Sequence, residues 1–361
     1  MLSTERQPRF TRGMTPARFA EITARYESLR IAVLGDFSLD RYLDIDPALE
    51  ETSLETGLPV HNVTAVRSQP GAAGTILANL VALGVGRLHA IGFCGKDGEG
   101  FELQRALRAM KRVHLDGFVE TPLRRTFTYT KPLVHEPGAA PRELSRLDLK
   151  NWTPTPRGVD HKLIGALRSI AGVVDAIIVM DQVDVPDTGV VTAAVRGAIG
   201  EMAREHPRLP ILADSRQSLS GWPPVIMKMN HRELGAMLGR DLSDISTVPD
   251  AALDLARTNH RAVFITLAEH GMIGADPGRT DAADDDAVVH RAPALPVRGP
   301  IDIVGAGDAV SANLCAALAA GAEAGEALEL ANAAASVVIH QLGTTGAATV
   351  EDLRALASMQ A

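Results

Sequence analysis

In the stretch DIVGAGDAVSANL, Asp302 to Leu314, two glycines, Gly305 and Gly307, stand directly before Asp308 and an alanine-rich run. A helix that begins near Gly307 offers unpaired N–H groups and the positive end of its dipole at that point, and so attracts anions. Glycine at 305 and 307 lets backbone N–H groups come close to a phosphate with no Cβ in the way. The aspartate has two readings: a plain helix cap, or a carboxylate that takes a proton from a hydroxyl attacking the bound phosphate, as phosphoryl transfer requires. Other phosphate motifs fail. In FCGKDGEG, Lys96 is followed by Asp97 rather than Ser or Thr, and Ala90 stands where a P-loop needs its first glycine; GDFSLD, after the first apolar run, lacks G-x-G-x-x-G.

The chain has 361 residues, 46% of them hydrophobic and 22% charged, enough for one large α/β domain or two ordinary ones and unlike a disordered protein. A net charge of −8 argues against a broad nucleic-acid-binding surface but leaves room for a small anionic substrate held by local groups. The two cysteines, Cys94 and Cys315, lie far apart in apolar surroundings, which excludes a disulfide framework or a zinc site and fits a reducing cytoplasm. No apolar segment has signal-peptide or membrane-spanning length, so the expectation is an unexported protein without a membrane partner. His61, His135, His231 and His270 have no metal-ligand spacing.

Residues 1–14 read as a tail, and Thr15-Pro16 as the cap and first position of a helix ending near Leu29. IAVLGD (31–36) has the form of a buried parallel strand whose end opens into a crevice. Gly71 to Gly84 shows helical spacing and stops on a glycine; LHAIGFCG is the next strand. Helices are expected at 158–170, 188–204, 249–258, 307–320 and 326–341, alternating with the strands VDAIIVMD, PILADS, PVIMKMN and AVFITL. Such alternation implies a mostly parallel central sheet covered by helices on both faces, a three-layer α/β/α fold. Residues 41–68 and 112–150 are loosely alternating and rich in turn residues, and are expected to form a small β lid over the crevice. DAADDD (281–286) reads as a solvated acidic loop.

DIVGAGDAV resembles the DTxGAGD signature of the ribokinase-like (PfkB) carbohydrate kinases, and the order of elements agrees from about residue 30 to 355. IAVLGDFSLDRYL resembles that family's opening strand and GDxxxD turn, most closely in the heptose-7-phosphate kinase branch. PGAAGTILANLVALG, GFCGKDGEG, NHRE (230–233) and ANAAASVVIHQLGT are similar to four further family motifs in the same order. The resemblance implies a single ribokinase-like kinase domain over 15–361 that uses ATP and Mg²⁺, and K⁺ where Asp302 lies beside a monovalent cation. Asp308 would be the catalytic base, with Gly305, Ala306 and Gly307 as backbone donors to the transferring phosphoryl group. Asp36, Asp40, Gly71, Ala72 and Thr75 would hold the sugar or sugar phosphate, Asn230, Thr266, Gly271 and Asn332 the nucleotide, and Glu233 the Mg²⁺ through water. The family's lid commonly pairs with its copy, which implies a homodimer.

The chain departs from the family at several positions. Ala72 replaces a glycine, Thr75 a sugar-contacting asparagine, Ala268 a glycine near the nucleotide and Val304 a threonine; DQVDVPDTG (181–189) lacks the lysine and glycine spacing of the heptose branch. That branch often carries a second nucleotidylyltransferase domain, for which 361 residues leave no room. Arg124, Arg125 and Lys131 are lid cations that a phosphate on the sugar would need. A nucleoside kinase of the same fold would need aromatic stacking, for which the lid offers Phe127 and Tyr129. A sugar-sensing pseudokinase is the non-enzymatic alternative, and Asp308 with both glycines argues against it.

Overall fold

Ile31, Val33 and Ile178 are buried in one apolar cluster, while Ala32, Leu34, Ile177 and Val179, their chain neighbours, are buried in another. Alternate residues of one strand point to opposite faces, so a strand apolar at every position needs a core on each side. The computed structural model, which describes residues 13–278 and 287–358, supplies both.

Its helices are α1 (Pro16–Ala24), α2 (Ala73–Ala82), α3 (Gly98–Ala109), α4 (Arg157–Ile170), α5 (Ala193–Glu205), α6 (His231–Leu238), α7 (Val248–Asn259), α8 (Ala306–Ala319), α9 (Ala324–Val338) and α10 (Val350–Ser358). The strands are β1 (Arg30–Gly35), β2 (Phe37–Ile45), β3 (Glu51–Thr52), β4 (Pro59–Val60), β5 (Val63–Ala72), β6 (Arg87–Gly95), β7 (Val113–Thr121) and β8 (Phe127–Val134). They continue as β9 (Arg142–Glu143), β10 (Leu147–Leu149), β11 (Ala176–Asp181), β12 (Ile211–Ser215), β13 (Ile226–Asn230), β14 (Val263–Thr266), β15 (Met272–Asp276) and β16 (Val288–Ala292).

The large sheet runs β16-β15-β14-β13-β12-β11-β1-β6-β7, parallel from β14 to β7 and antiparallel at β15 and β16. One core packs α1, α2, α3, α8 and α9 on one face, and the other packs α4, α5, α6 and α7 on the opposite face. The strand ends carrying Asp181, Ser215, Asn230 and Thr266 therefore share one edge of the sheet, where open α/β sheets place their ligands.

A second sheet, ordered β10-β8-β2-β5 with β9 on β8, stands over that edge. β2 grows out of β1 after the single residue Asp36, and pairs antiparallel with β5 from Phe37↔Ala72 and parallel with β8 from Ser38↔Phe127. The expected lid is thus present, but its boundaries shift. Val113–Thr121 pairs with β6 as the outer strand of the large sheet, so the 112–150 patch joins the small sheet only from Phe127 onward. The helix expected from Gly71 begins at Ala73, because Pro70, Gly71 and Ala72 still pair with β2. The helix expected from 188 begins at Ala193, where Thr192 Oγ1 accepts the Val195 N–H at 3.3 Å. Three helices and one strand pair have no counterpart in the expectations: α3, α6, α10 and β15–β16. α3 opens with Gly98-Glu99-Gly100 and is started by Asp97, whose carboxylate accepts the Gly100 N–H at 2.8 Å. Of the expected tail, Met14 donates its N–H to Glu329 at 2.7 Å, anchoring it to α9; residues 1–12 and the acidic 281–286 loop lie outside the described residues.

Two of the alanines that replace family glycines sit in left-handed backbone: Ala72 at φ +53° and Ala268 at φ +51°. Ala72 combines that φ with ψ −115°, a region that only glycine enters freely. Strain of this kind costs on the order of 1–3 kcal/mol, against roughly 0.4–1 kcal/mol for the added unfolded-state freedom of glycine. Ala72→Gly is therefore expected to raise the urea midpoint of unfolding; an unchanged or lower midpoint would show that the site carries no strain.

Candidate active site

The turn before α8 is held from both sides. Asp302 donates its N–H to Ile339 O at the end of α9 (2.8 Å), its carboxylate accepts the Val304 N–H (3.0 Å), and Ala306 N–H reaches Ile303 O (3.2 Å). Gly305 then takes φ +82°, and a Cβ there would stand 3.3 Å from Thr345. The N–H groups of Gly307 and Asp308 are left in the first helical turn, where no intrahelical acceptor exists. Asp308 opens onto a cleft of about 190 Å³ between the two sheets, whose walls include Ser38, Asp40, Thr75, Lys131 and Arg216. Burial, the Asp214 charge and Asp40 push the Asp308 carboxyl up to about 7, with Lys228 pulling the other way. A base poised near neutral pH suits proton abstraction.

Asp214 at the end of β12 and Lys228 in β13 are direct cross-strand neighbours. Lys228 Nζ lies 2.7 Å from Asp214 Oδ2, which also accepts the Ser311 hydroxyl of α8 at 2.9 Å. Burial works against the charge on Lys228, but Asp214, Asp308 and Glu233 together hold its pKa above the ordinary lysine value. Glu233 and Asn230 form a reciprocal cap at the start of α6: Asn230 Oδ1 accepts Glu233 N–H (2.9 Å) and Glu233 Oε2 accepts Asn230 N–H (2.7 Å). One Glu233 oxygen is thus committed to the backbone. Burial and the nearby Asp214 raise its pKa, against the Asn230 N–H and Lys228.

The expected sugar residues separate into two groups. Asp40, Ala72 and Thr75 line the cleft. Asp40 accepts the Ser38 hydroxyl (3.3 Å) with Lys131 Nζ at 4.0 Å, and burial raises its pKa against the Lys131 charge. Gly71 packs so closely on this pair that a Cβ would fall 2.3 Å from Asp40 Oδ1. Thr75 Oγ1 has no hydrogen-bond partner among the described residues. Asp36 differs from expectation: its oxygens accept the N–H groups of Gln182 (2.8 Å) and Val190 (2.7 Å), leaving it 2% exposed and off the cleft wall. Burial pushes its carboxyl up to about 6 and that of neighbouring Asp181 up to about 7. Among the lid cations, Arg124 is spent on the carbonyls of Thr153, Pro154 and Thr188, Arg125 is exposed away from the cleft wall, and Lys131 lines it. Two further cations line the cleft: Arg146, fixed by both Asp148 oxygens at 2.9 and 2.8 Å, and Arg216, 3.3 Å from Asp184. No motif contains them, and only topology brings them opposite Asp308.

The expected nucleotide residues are spread along the sheet edge. Thr266 ends β14 beside Asn230 of β13. Gly271 has φ +87°, and a Cβ there would meet Ala292 O at 2.1 Å, so glycine is required for this close approach. Asn332 donates to Pro293 O at 2.8 Å and lines a separate cavity of about 490 Å³ shared with Met14, Phe19, Leu295 and Leu353. Among the described residues no three His, Cys, Asp or Glu side chains gather as a metal cage. Mg²⁺ is commonly held by substrate phosphates, water and one or two carboxylates, and Glu233 leaves its Oε1 outside the cap with Asn230.

The unusual proton affinity of Asp308 has a consequence for stability. Its folded value lies near 7 against an ordinary 3.8, so between these pH values the folded chain keeps a proton that the unfolded chain has released, and stability falls as pH rises. Asp308→Asn imitates the neutral acid. Its melting temperature should exceed that of the wild type by more at pH 8 than at pH 5, and a gap independent of pH would contradict the burial of this charge.

Residues 208–350 match the profile of the pfkB family carbohydrate kinases. The chain is 32% identical over 336 residues to the bifunctional protein HldE of Rhodospirillum rubrum, covering 91% of this chain and 62% of that protein. The HldE of Geobacter metallireducens is 30% identical over 341 residues, covering 93% of this chain and 64% of its own. The chain thus spans somewhat under two thirds of the length of these curated relatives. Among solved structures, phosphofructokinase-2 from Escherichia coli in complex with potassium superposes with a TM-score of 0.68 at 18% identity, over 92% of this chain and 99% of that one. Ribokinase from Arabidopsis thaliana, complexed with ribose and ATP, gives 0.63 at 17%, over 91% and 98%. The architecture is ribokinase-like, and residues 208–350, which contain Asp214, Lys228, Glu233 and Asp308, carry the match to the pfkB family carbohydrate kinases.

Proposed function

We propose that this protein transfers the γ-phosphoryl group of ATP to a hydroxyl of a phosphorylated sugar, with a heptose 7-phosphate as the first compound to test. The observation that carries this reading is the ring of Lys131, Arg146 and Arg216 around the cleft that holds Asp308. A neutral sugar needs hydrogen-bond donors and acceptors, whereas three cations in so small a space match a phosphate, which arginine binds through paired N–H groups. The relatives named HldE make the heptose phosphate the natural probe.

In this reading Asp40 and Thr75 orient the sugar and Asp308 receives the proton of the attacking hydroxyl. The oxygen so freed bonds to the γ-phosphorus as its bond to the bridging oxygen breaks and ADP departs. The N–H groups of Gly307 and Asp308 donate hydrogen bonds to the phosphoryl oxygens as charge develops on them. Bound Mg²⁺ would neutralise phosphate charge, and the uncommitted oxygen of Glu233 would hold one of its waters. Asp302 is the residue on which K⁺ dependence would rest; its carboxylate already accepts the Val304 N–H. We place the protein in the cytoplasm as part of the same reading; among the described residues no helix is long and apolar enough to cross a membrane.

With Mg·ATP, ADP release is expected with heptose 7-phosphate and not with unphosphorylated hexoses, pentoses or nucleosides. Asp308→Asn should lower kcat by about 10²–10⁴. Arg216→Gln should raise KM for the sugar phosphate by about tenfold or more with a smaller change in kcat, since a charged hydrogen bond contributes roughly 1.5–3 kcal/mol. Faster turnover of an unphosphorylated sugar would overturn the substrate reading.

β5 has β2 on one side only, with Val63 and Val66 exposed along it, so we propose that two copies meet through this strand. Light scattering should then report twice the 38.2 kDa chain mass, and Val66→Lys should return the single-chain value.

A further inference from the structure

Beneath the Gly305–Gly307 turn lies an ion pair that no motif contains. Lys228 is nearly enclosed, with its side chain 9% exposed, and Asp214 takes one of the three donors of its ammonium at 2.7 Å. Ser311 donates to the same Asp214 oxygen and also reaches Gly307 O at 3.2 Å, which fixes the pair to the first turn of α8. A Cβ at Gly307 would stand 3.2 Å from Lys228 Nζ, so the absent side chain is what lets the ammonium face the anion turn.

We propose that Lys228 is a catalytic residue of this kinase: fixed by Asp214, its ammonium donates to the phosphoryl group in transit and keeps a positive charge beside Asp308. The inference rests on the reading of Asp308 as the base. The hydroxyl proton still goes to Asp308 and the electron pair of the broken P–O bond still leaves with ADP; Lys228 gives up no proton. The charged groups facing Asp308 are Asp214 from β12, Lys228 from β13 and Asp40 from β2, with Lys131, Arg146 and Arg216 across the cleft; Glu233 acts on Lys228 from α6. Of the charges closest to the carboxylate, Asp214 and Asp40 favour its protonation and Lys228 opposes them. Removing the lysine alone therefore leaves the base protonated to higher pH.

Two variants separate this role from a structural one: Lys228→Met, and Lys228→Met combined with Asp214→Asn, which removes both charges of the pair. Turnover is read with Mg·ATP and heptose 7-phosphate, and affinities for Mg·ATP and Mg·ADP by calorimetry without sugar. Lys228→Met should lower kcat about 10²–10³-fold and move the acid limb of its pH profile upward by about one unit. The double variant should bring that limb back down while kcat stays low. In both, the preference for Mg·ATP over Mg·ADP should shrink about tenfold, the equivalent of one charged contact to the γ-phosphate. A folded double variant that keeps the wild-type preference for ATP over ADP would overturn the proposal, whether or not it turns over sugar. If the wild type itself leaves heptose 7-phosphate untouched, the failure belongs to the substrate, and the nucleotide preference alone decides the role of Lys228.

Discussion

A carboxylate that must act beside a phosphate faces a charge problem, because both groups are negative and the cleft that brings them together removes the water that would screen them. Much of the structure follows from that repulsion. The helix start at Gly305–Asp308 offers N–H groups in place of solvent, Lys228 faces the turn from below, and three cations face Asp308 across the cleft. The carboxylates are balanced as well: Asp214 secures Lys228, and its charge together with Asp40 raises the proton affinity of Asp308. The parallel sheet matters here because it places Asp214 and Lys228 side by side on adjacent strands, directly under α8.

The parts legible in the sequence are those whose chemistry is local. G-A-G-D is visible as a candidate anion turn because two glycines precede a helix start, although a carboxylate there can equally be a plain cap, and the run IAVL shows a strand buried on both faces because every position is apolar. N-x-x-E is visible for a second reason: in the structure it is a reciprocal helix cap, whose spacing is set by the geometry of one helical turn. What escaped is what depends on partners distant in the chain. Arg146 and Arg216 lie 70 positions apart in unlike surroundings, and nothing local distinguishes them from solvated arginines. Arg124 looked equally suited to a phosphate, but the carbonyls of 153–154 and 188 claim it. The family resemblance implies a sugar ligand at Asp36, yet the returning 182–190 loop supplies N–H groups that occupy it. α3 was hidden by its own glycines, which weaken helix propensity at the end where Asp97 supplies the missing start.

The departures from the family pattern lie where the backbone is under constraint. Ala72 and Ala268 keep the left-handed backbone that glycine would take freely, so the turn geometry is retained although the residue is not. Ala72 and Thr75 both face the cleft, and a methyl and a hydroxyl there replace a bare backbone and an amide. In the proposed reaction, the shape and polarity of this wall would bear on which sugar fits, while Gly305, Gly307 and Asp308 keep the residue types of the family motif.

The passage from β1 to β2 through one residue has a mechanical consequence. The small sheet is a lever whose fulcrum is Asp36, and Gln182 and Val190 clamp that fulcrum through their N–H groups. In any tilt, displacement grows with distance from the fulcrum. Ser38 and Asp40 stand within about 13 Å of it along the strand, while Ile45 lies about 30 Å away at roughly 3.3 Å per residue. Ser38 and Asp40 would therefore move least in any such tilt, and Ile45, with Val63 of β5 beside it, would move most.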